Sequence, residues 1–203
     1  MAVTNGYTTA VLFKARIHIE DAVDDTEVDQ AINAASRKID GHCGRRFYTD
    51  GEVSARRFYA SEPDVLWVDD FSTVVGLVVK TDDDDDATFE TTWSSSDYQV
   101  EPLNGAANGI EGIPYYRIRS VEGTAFPTST ARPGVEVTAD WGWAAVPDPV
   151  ADAALIVASE LFKLREAPFG VAGFGDFGAV RVKDIPQAAA LLEPYVSSLI
   201  QVG

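Results

Sequence analysis

The sequence predicts an α+β fold in which a helical core of about four helices is interrupted by an antiparallel β insertion. Apolar residues recur at helical spacing before residue 50 and after residue 143, whereas they alternate at a period of two in between. The same middle stretch holds 18 acidic and 6 basic residues, a balance of −12, against −4 for the rest. We therefore expect a helical core over 1–49 and 144–203 and a β insertion over 50–143.

Two helices are predicted before the insertion. Thr8 to Ile19 is a short candidate, whose broad apolar side consists of Leu12, Ala15, Ile17 and Ile19. The second begins in DDTEVDQ, where Thr26 and Asp29 have the spacing of a capping box. Its predicted buried face, at helical spacing, comprises Val28, Ile32, Ala35, Ile39 and Cys43.

The end of this second helix is also marked in the sequence. Gly41 and Gly44 are expected to loosen or end it. The basic residues near that end suit the helix dipole. For the pair Arg45–Arg46, capping of carbonyls and pairing with nearby acids is favoured over anion binding.

The insertion reads as short antiparallel strands, because its connections are too short to hold crossover helices. Its segments SARRFYA, DVLWVDD, STVVGLVVKT, DYQVEP, YYRIRSV and GVEVTADWGW are rich in β-branched and aromatic residues. One strand alternates from Val135 to Trp141, which predicts a single buried face. The run Val74 to Val79 is apolar on both faces, so we expect a central strand there.

Two further helices follow the insertion. Asp148 is the predicted N-cap of the first and Pro149 its first helical residue, with Pro168 ending it. The predicted buried stripe consists of Val150, Ala154, Leu155, Ala158, Leu161 and Phe162.

After a glycine-rich stretch, Val180 to Val182 is a candidate short strand. Pro186 to Ile200 is the last predicted helix, which Pro194 weakens in its middle. The residues expected on its buried face are Ala189, Leu192, Val196 and Leu199.

Composition bounds the class of protein. The 203 residues are 46% hydrophobic and 24% charged, which is typical of a globular domain. A single cysteine allows no intrachain disulfide, and no window has the length of a membrane span, so we expect a soluble intracellular chain. The net charge of −16 would repel phosphate backbones and anionic lipid, which opposes sequence-tolerant nucleic-acid binding.

The stretch GVAGFGDFGAVRV contains Gly173, Gly175 and Gly178 at the G-x-G-x-x-G spacing of dinucleotide-binding loops. That motif must follow a strand and open a helix, whereas here it follows a helix and precedes a strand-like segment. No acidic residue lies about twenty positions on, as ribose binding would require. Its phenylalanines instead indicate a loop that becomes ordered against another protein, or one that packs on its own subunit.

No metal or catalytic motif is complete. The run TDDDDDATFETTW has Ala87 and Trp93 where an EF-hand loop starting at Asp82 needs Gly and Glu, so a solvated, self-repelling hairpin tip is expected. The two histidines and Cys43 lack metal-ligand spacing, and Cys43 is expected to be a buried apolar residue. No carboxylate pair for hydrolysis stands out among the many acids. The sequence thus predicts neither an enzyme nor a bound cofactor.

Two long segments of the chain resemble a known protein family over many consecutive positions. AINAASRKIDGHCGRRFY at 31–48 and TADWGWAAVPDPVADAALIVASELFKLREAPFGVAGFGDFGAVRV at 138–182 resemble the head-to-tail connector (adaptor) family of long-tailed bacteriophages. They cover about a third of the chain, and in the insertion the likeness depends on placement alone.

The resemblance implies a structural virion protein. It implies a ring of about twelve subunits beneath the portal at the head–tail neck, with DNA passing through the channel without specific binding. A stopper or tail-completion protein would bind below, and the chain would be in the host cytoplasm during assembly. The segment Phe169 to Lys183 is the implied portal-docking segment, with the last helix assisting. Its candidate contact residues are Phe169, Val171, Phe174, Asp176, Phe177, Val180, Arg181, Val182 and Lys183.

Two other functions remain open at this stage. The first is a stopper or tail-completion protein of the same neck, which would need the adaptor in place before it could bind. The second is a small hydrolase that uses acids of the β insertion, which would require an acidic pocket and a carboxyl group of raised pKa.

Overall fold

The computed structural model describes residues 2–107, 109–121, 123–128, 131–166 and 181–197, with backbone alone over 164–166. The chain divides into two compact units, residues 1–47 with 146–203 and residues 48–145. Within the described residues the first, which we call the helical unit, holds the α-helices, and the second, the β unit, holds the strands. The predicted α+β class is confirmed. The described helices are α1 (Ala10–Ile17), α2 (Asp25–Cys43), α3 (Asp148–Glu166) and α4 (Pro186–Leu192).

The first helix forms where it was predicted but buries a different side chain. Thr9 caps α1, since its hydroxyl oxygen accepts the Leu12 N–H at 3.2 Å. Phe13 is completely buried, whereas Leu12 is 55% exposed. The predicted apolar side was therefore wrong, because one large aromatic residue, rather than the pattern of smaller ones, sets which face of this short helix packs.

The predicted buried face of α2 is confirmed at every position, since all five residues have no exposed surface. Gly44 ends the helix in the left-handed conformation that favours glycine. Its φ is 64°, and its N–H donates to the Asp40 carbonyl at 2.8 Å. The predicted capping box is wrong. The helix begins at Asp25 after Asp24, so Thr26 already lies inside its first turn.

Helix α3 begins one residue earlier than predicted, at Asp148. The Pro147 carbonyl accepts the N–H groups of Val150 and Ala151, both at 3.0 Å. Four residues of the predicted stripe are buried, whereas Leu155 and Leu161 are half-buried. Ala153 and Val157 are buried as well, because α1, α2 and α4 all pack against α3 and widen its apolar face.

The last helix is shorter than the apolar pattern indicated. It ends at Leu192, and a 3-10 turn, Glu193–Tyr195, continues the chain around Pro194, which has no N–H to extend the helix. A second 3-10 turn, Val182–Asp184, replaces the described part of the predicted strand, while Val180 lies outside the described residues.

A buried polar network joins the N-terminal segment to α2. The Tyr7 hydroxyl donates to the Asp40 carboxylate and accepts the Phe47 N–H at 2.9 Å. Burial is the main cause of a raised pKa for both Tyr7 and Asp40. Cys43 is completely buried, as predicted, and burial raises the pKa of its thiol to about 12.

The β unit contains antiparallel sheets, as predicted. Their strands are β1 (Val53–Phe58), β2 (Val65–Phe71), β3 (Val78–Thr81), β4 (Thr91–Thr92), β5 (Tyr98–Glu101), β6 (Ala106–Ala107), β7 (Ile110–Glu111), β8 (Tyr115–Ser120) and β9 (Val135–Asp140). Among the described residues the four-stranded sheet has the order β1-β9-β3-β4, the three-stranded sheet β2-β8-β5, and β6 pairs with β7.

The core of the β unit includes the inward faces of the two larger sheets. Val135, Val137 and Ala139 are completely buried and alternate with half-buried residues, which confirms the predicted pattern of β9. Trp141 continues this buried face beyond the strand. Leu66 of β2 lies opposite Ile118 of β8, and both are completely buried.

The predicted central strand over Val74 to Val79 is wrong in its first half. Val74 and Val75 are 50% and 76% exposed and lie in a turn, closed by the Leu77 N–H donating to the Val74 carbonyl at 3.2 Å. Gly76 has φ of 79°, a left-handed conformation that strongly favours glycine and departs from the extended backbone of a strand. The strand therefore begins only at Val78.

Candidate functional site

The candidate docking segment lies largely outside the described residues. Phe169, Val171, Phe174, Asp176, Phe177 and Val180 all belong to the stretch 167–180 that the structure does not describe. The last three candidate residues of the docking segment, Arg181, Val182 and Lys183, are described. Val182 is buried, with 3% of its surface exposed, whereas Arg181 and Lys183 are exposed.

The described residues that flank this stretch are anchored in the helical unit. Phe162 of α3 is 8% exposed and meets Phe13 edge-on, with ring centroids 5.6 Å apart. On the other side, the 3-10 turn that carries Val182 packs on α2 and α4. Val182 therefore serves the packing of the helical unit, and the docking role of the segment stays a prediction.

The acidic run forms the second candidate site, at the turn between β3 and β4. Asp82 is only 3% exposed, and its carboxylate accepts the N–H groups of Asp86 at 3.1 Å and Ala87 at 2.8 Å. The Asp83 N–H donates to the Glu90 carboxylate at 3.0 Å. The expected solvated hairpin tip is thus correct for its exposed residues, but Asp82 turns inward and holds the loop together.

Among the described residues, four carboxylates of this turn form a group that could contact a cation. Oxygen atoms of Asp82, Asp84, Asp86 and Glu90 lie within 4.8 Å of one another, and carboxylate oxygens are the ligands that Ca²⁺ and Mg²⁺ prefer. Both oxygens of Asp82 already accept backbone N–H groups, so hydrogen bonding within the loop accounts for its inward position. The cluster is a compact concentration of negative charge on the β unit.

The charge of Asp86 is the main cause of a raised pKa for the fully exposed Asp84 carboxyl. A carboxyl group whose pKa is higher in the folded state favours folding when protonated. This contribution is present below the ordinary pKa and is lost as the pH rises through the raised value. We expect Asp86→Asn to lower the pKa of Asp84 toward its ordinary value in a carboxyl NMR titration.

A matched control for this titration is Glu52→Gln. Glu52 is exposed and directly precedes β1, whose first residues pair with the end of β9, away from the acidic turn. This change removes the same charge from the β unit and should leave the pKa of Asp84 unchanged. Equal effects of the two substitutions would show that net charge, rather than proximity to Asp86, raises the pKa.

The other sequence candidates have structural roles. Burial raises the pKa of the Asp40 carboxyl and the positive charge of Arg46 partly opposes that rise, which agrees with the interpretation that the arginine pair serves nearby acids. His18 is the left-handed C-cap of α1, and His42 lies within α2. Among the described residues, neither belongs to a group that could hold a metal ion.

The W-G-W sequence, Trp141 to Trp143, connects the end of β9 to strands β1 and β2 through contacts that the sequence patterns did not predict. The Trp141 ring N–H donates to the Ser54 carbonyl at 2.7 Å, and the Trp143 ring N–H donates to Asp70 Oδ2 at 2.9 Å. Gly142 has φ of 108° and donates its N–H to the Asp70 carbonyl at 2.6 Å. The motif therefore fixes the end of β9 within the β unit, which is a role in folding.

No protein-family model matches this sequence, and no curated protein matches it significantly. Solved structures do share its fold. A chain in "Neck of empty GTA particle computed with C6 symmetry" matches 97% of this chain and 93% of its own length, with a TM-score of 0.57 and 17% identity. A chain in "Neck of native GTA particle computed with C12 symmetry" matches 97% and 92%, with a TM-score of 0.53 and 19% identity.

A third match comes from "Virion of native gene transfer agent (GTA) particle", over 97% of this chain and 93% of that one, with a TM-score of 0.52 and 19% identity. The chain thus has a fold that occurs in the necks of gene transfer agent particles. Among the described residues, no helix is long and apolar enough to cross a membrane.

Proposed function

We propose that this chain is a non-enzymatic structural protein of a virion neck, and that within the neck it is the head-to-tail connector (adaptor). The observation that carries the proposal is the fold shared with neck chains over 97% of this chain, including both the helical unit and the β unit. The likeness of residues 31–48 and 138–182 to phage adaptors points in the same direction.

In this proposal, copies of the chain form a ring, of about twelve subunits, between the portal and the stopper or tail-completion protein. The C12 symmetry used for a neck that contains a chain of this fold supports that number. DNA passes through the ring without specific binding. The net charge of −16 fits this role, because a negative wall repels the phosphate backbone of passing DNA.

Attachment to the portal is assigned to the segment Phe169 to Lys183. A ring presents many copies of this segment to a symmetric portal at once. A weak contact in each subunit therefore gives a strong attachment of the whole ring. Phe162 and Val182, on either side of residues 167–180, are both buried in the helical unit.

Deletion of Gly170 to Gly178 should leave a folded monomer that no longer joins heads to tails. Because the deletion shortens the connection between Phe162 and Val182, a second variant, Phe174→Ala with Phe177→Ala, keeps the chain length. We expect heads without tails to accumulate by electron microscopy, while circular dichroism of both variants stays that of the natural chain.

The matched control is Phe89→Ala, which removes a half-buried phenylalanine from the β unit. It should leave head–tail joining intact. Normal joining by the deletion variant and the double phenylalanine variant would contradict the docking assignment, whereas the proposed place in the neck would stand.

Binding to isolated portal distinguishes the adaptor from a stopper or tail-completion protein. An adaptor should be captured by portal alone, whereas a stopper should be captured only after the adaptor has been added.

The hydrolase alternative requires an acid of raised pKa in the β insertion. Among the described residues of the β insertion, the carboxyl group with a raised pKa is that of Asp84, which is fully exposed in a hairpin tip.

A further inference from the structure

The N-terminal residues 2–8, which we call the strap, are attached to α2 at two places. At the first, the Asn33 side chain donates to the Ala2 carbonyl at 3.1 Å and accepts the Thr4 N–H at 2.9 Å. Both hydrogen bonds are exposed. Because exposed groups can bond to water instead, such bonds contribute little net stability. This attachment therefore fixes the path of the strap but holds it only weakly.

The second attachment is Tyr7, which is 3% exposed. Its hydroxyl donates to the Asp40 carboxylate and accepts the Phe47 N–H at 2.9 Å. Its backbone N–H donates to the Ser36 hydroxyl at 3.0 Å. The Arg37 guanidinium lies over the Tyr7 ring, 5.7 Å from its centroid, and pairs with Asp40 at 2.7 Å. Because Tyr7 is buried with its polar atoms paired, it is the main attachment of the strap.

Phe47 extends this attachment to the C-terminal residues. It is completely buried, and its ring meets the rings of Tyr7 and Tyr195 edge-on, at centroid distances of 5.6 Å and 5.9 Å. Two positions after Tyr195, the Ser197 N–H donates to the Cys43 carbonyl at 2.8 Å. Edge-on contacts between aromatic rings are favourable beyond the area that they bury. The rings of Tyr7, Phe47 and Tyr195 thus form one row that joins the strap to the end of the described chain.

Both segments that this row joins are suited to local opening. All seven described residues of the strap lie outside the helices and strands, and the C-terminal turn, Glu193–Tyr195, is a single 3-10 turn. Helix α2, by contrast, buries a full face over 19 residues. Segments with few regular backbone hydrogen bonds open at a lower free energy than the core elements on which they lie. An opening that leaves α2 folded is thus available to the strap and to the turn.

We propose that the strap is a releasable clasp on the C-terminal turn, so that the two segments open together. Release of Tyr7 removes an aromatic neighbour of Phe47 and the acceptor of its N–H, which leaves Tyr195 less firmly supported. Coupling free energies are reciprocal, so opening of the C-terminal turn also loosens the strap. A molecule that draws off one segment therefore frees the other. This inference concerns the helical unit alone and does not depend on the proposed function.

Native-state hydrogen exchange of the full chain tests the coupling in both directions. The first reporter is the Ser197 amide, whose hydrogen bond to the Cys43 carbonyl closes the C-terminal residues onto the end of α2. In Tyr7→Ala we expect this amide to exchange at least about tenfold faster, because a buried hydrogen bond and a ring contact are both lost. Tyr7→Phe keeps the ring and loses only the hydroxyl, so it should accelerate the same amide about threefold or more.

The second reporter is the Tyr7 amide, which is bonded to α2. Tyr195→Ala should accelerate its exchange at least about tenfold, since the coupling acts in both directions. The matched control is Asn33→Ala, which removes the first attachment of the strap and leaves Tyr7 in place. It should accelerate exchange of the Thr4 amide and leave that of the Ser197 amide unchanged.

The clasp is overturned if Tyr7→Phe leaves exchange of the Ser197 amide unchanged, or if Tyr195→Ala leaves that of the Tyr7 amide unchanged. The amides at the centres of α2 and α3 should keep their protection in both of these variants. Equal acceleration in those helices would mean a general loss of stability, which also overturns the proposal. Every outcome is measured on the purified chain, so it is independent of head–tail joining.

Discussion

Replacement of Gly142 by alanine is expected to lower the free energy of unfolding of the β unit by about 3 kcal/mol or more. The added Cβ would lie 1.9 Å from the Tyr48 carbonyl oxygen and 2.8 Å from its carbon. Both are backbone atoms, so no side-chain rotation relieves the clash. The backbone at Gly142 has φ of 108°, which is itself unfavourable for alanine. Any movement of Gly142 would also disturb its hydrogen bond to the Asp70 carbonyl.

Tryptophan fluorescence during urea unfolding measures this effect directly, because all four tryptophans lie in residues 48–145. Gly51→Ala is the matched control. Gly51 also has a positive φ, of 74°, but a Cβ there would have no neighbour within 4 Å. That substitution should cost about 1 kcal/mol from backbone strain alone. If the two variants were equally stable, the close approach of Tyr48 would not be the reason for glycine at position 142.

The parts of the fold that sequence predicts well are those where a long periodic pattern meets a single buried face. Helix α2 runs for 19 residues, and one stripe on it determines which side packs. Strand β9 alternates strictly, so its buried residues follow from a period of two. In both elements the local pattern and the tertiary environment agree, which is the condition for a reliable prediction.

The incorrect predictions fall where a short pattern competes with local backbone chemistry. Val74 and Val75 have strong strand propensity, but Gly76 imposes a turn. The apolar pattern of helix α4 continues beyond Leu192, but Pro194 removes the N–H that the next turn needs. In α1 the apolar residues surround most of the helix, so periodicity could not select Phe13 as the buried one.

In the candidate sites, too, the sequence predicts local features but not the contacts that depend on the folded chain. The sequence identifies the acidic run, but the inward turn of Asp82 depends on two backbone N–H groups that face it only in the folded loop. Trp143 donates to Asp70, which lies 73 positions earlier, and no local pattern encodes that contact. The docking segment was predicted from its resemblance and composition, and it remains a proposal.

Replacement of Phe13 by alanine is expected to release helix α1 from the helical unit and to lower its free energy of unfolding by about 3–5 kcal/mol. Phe13 is the only buried residue of α1, and its ring contacts Phe162 of α3 edge-on. Removing it eliminates both the buried surface and the main anchor of an eight-residue helix, which is too short to be stable alone. The Lys14–Asp25 ion pair that remains is partly exposed, so it cannot replace the anchor.

Hydrogen exchange separates release of α1 from a general loss of stability. We expect the amides of α1 to lose protection in Phe13→Ala under native conditions, while the amides at the centre of α2 keep much of theirs. The control Leu12→Ala removes a side chain that is 55% exposed on the same helix. It should change the free energy of unfolding by less than about 0.5 kcal/mol. Equal loss of protection in α1 and α2 would mean that the two helices open as one unit. In that case α1 would be held by more than its single buried aromatic residue.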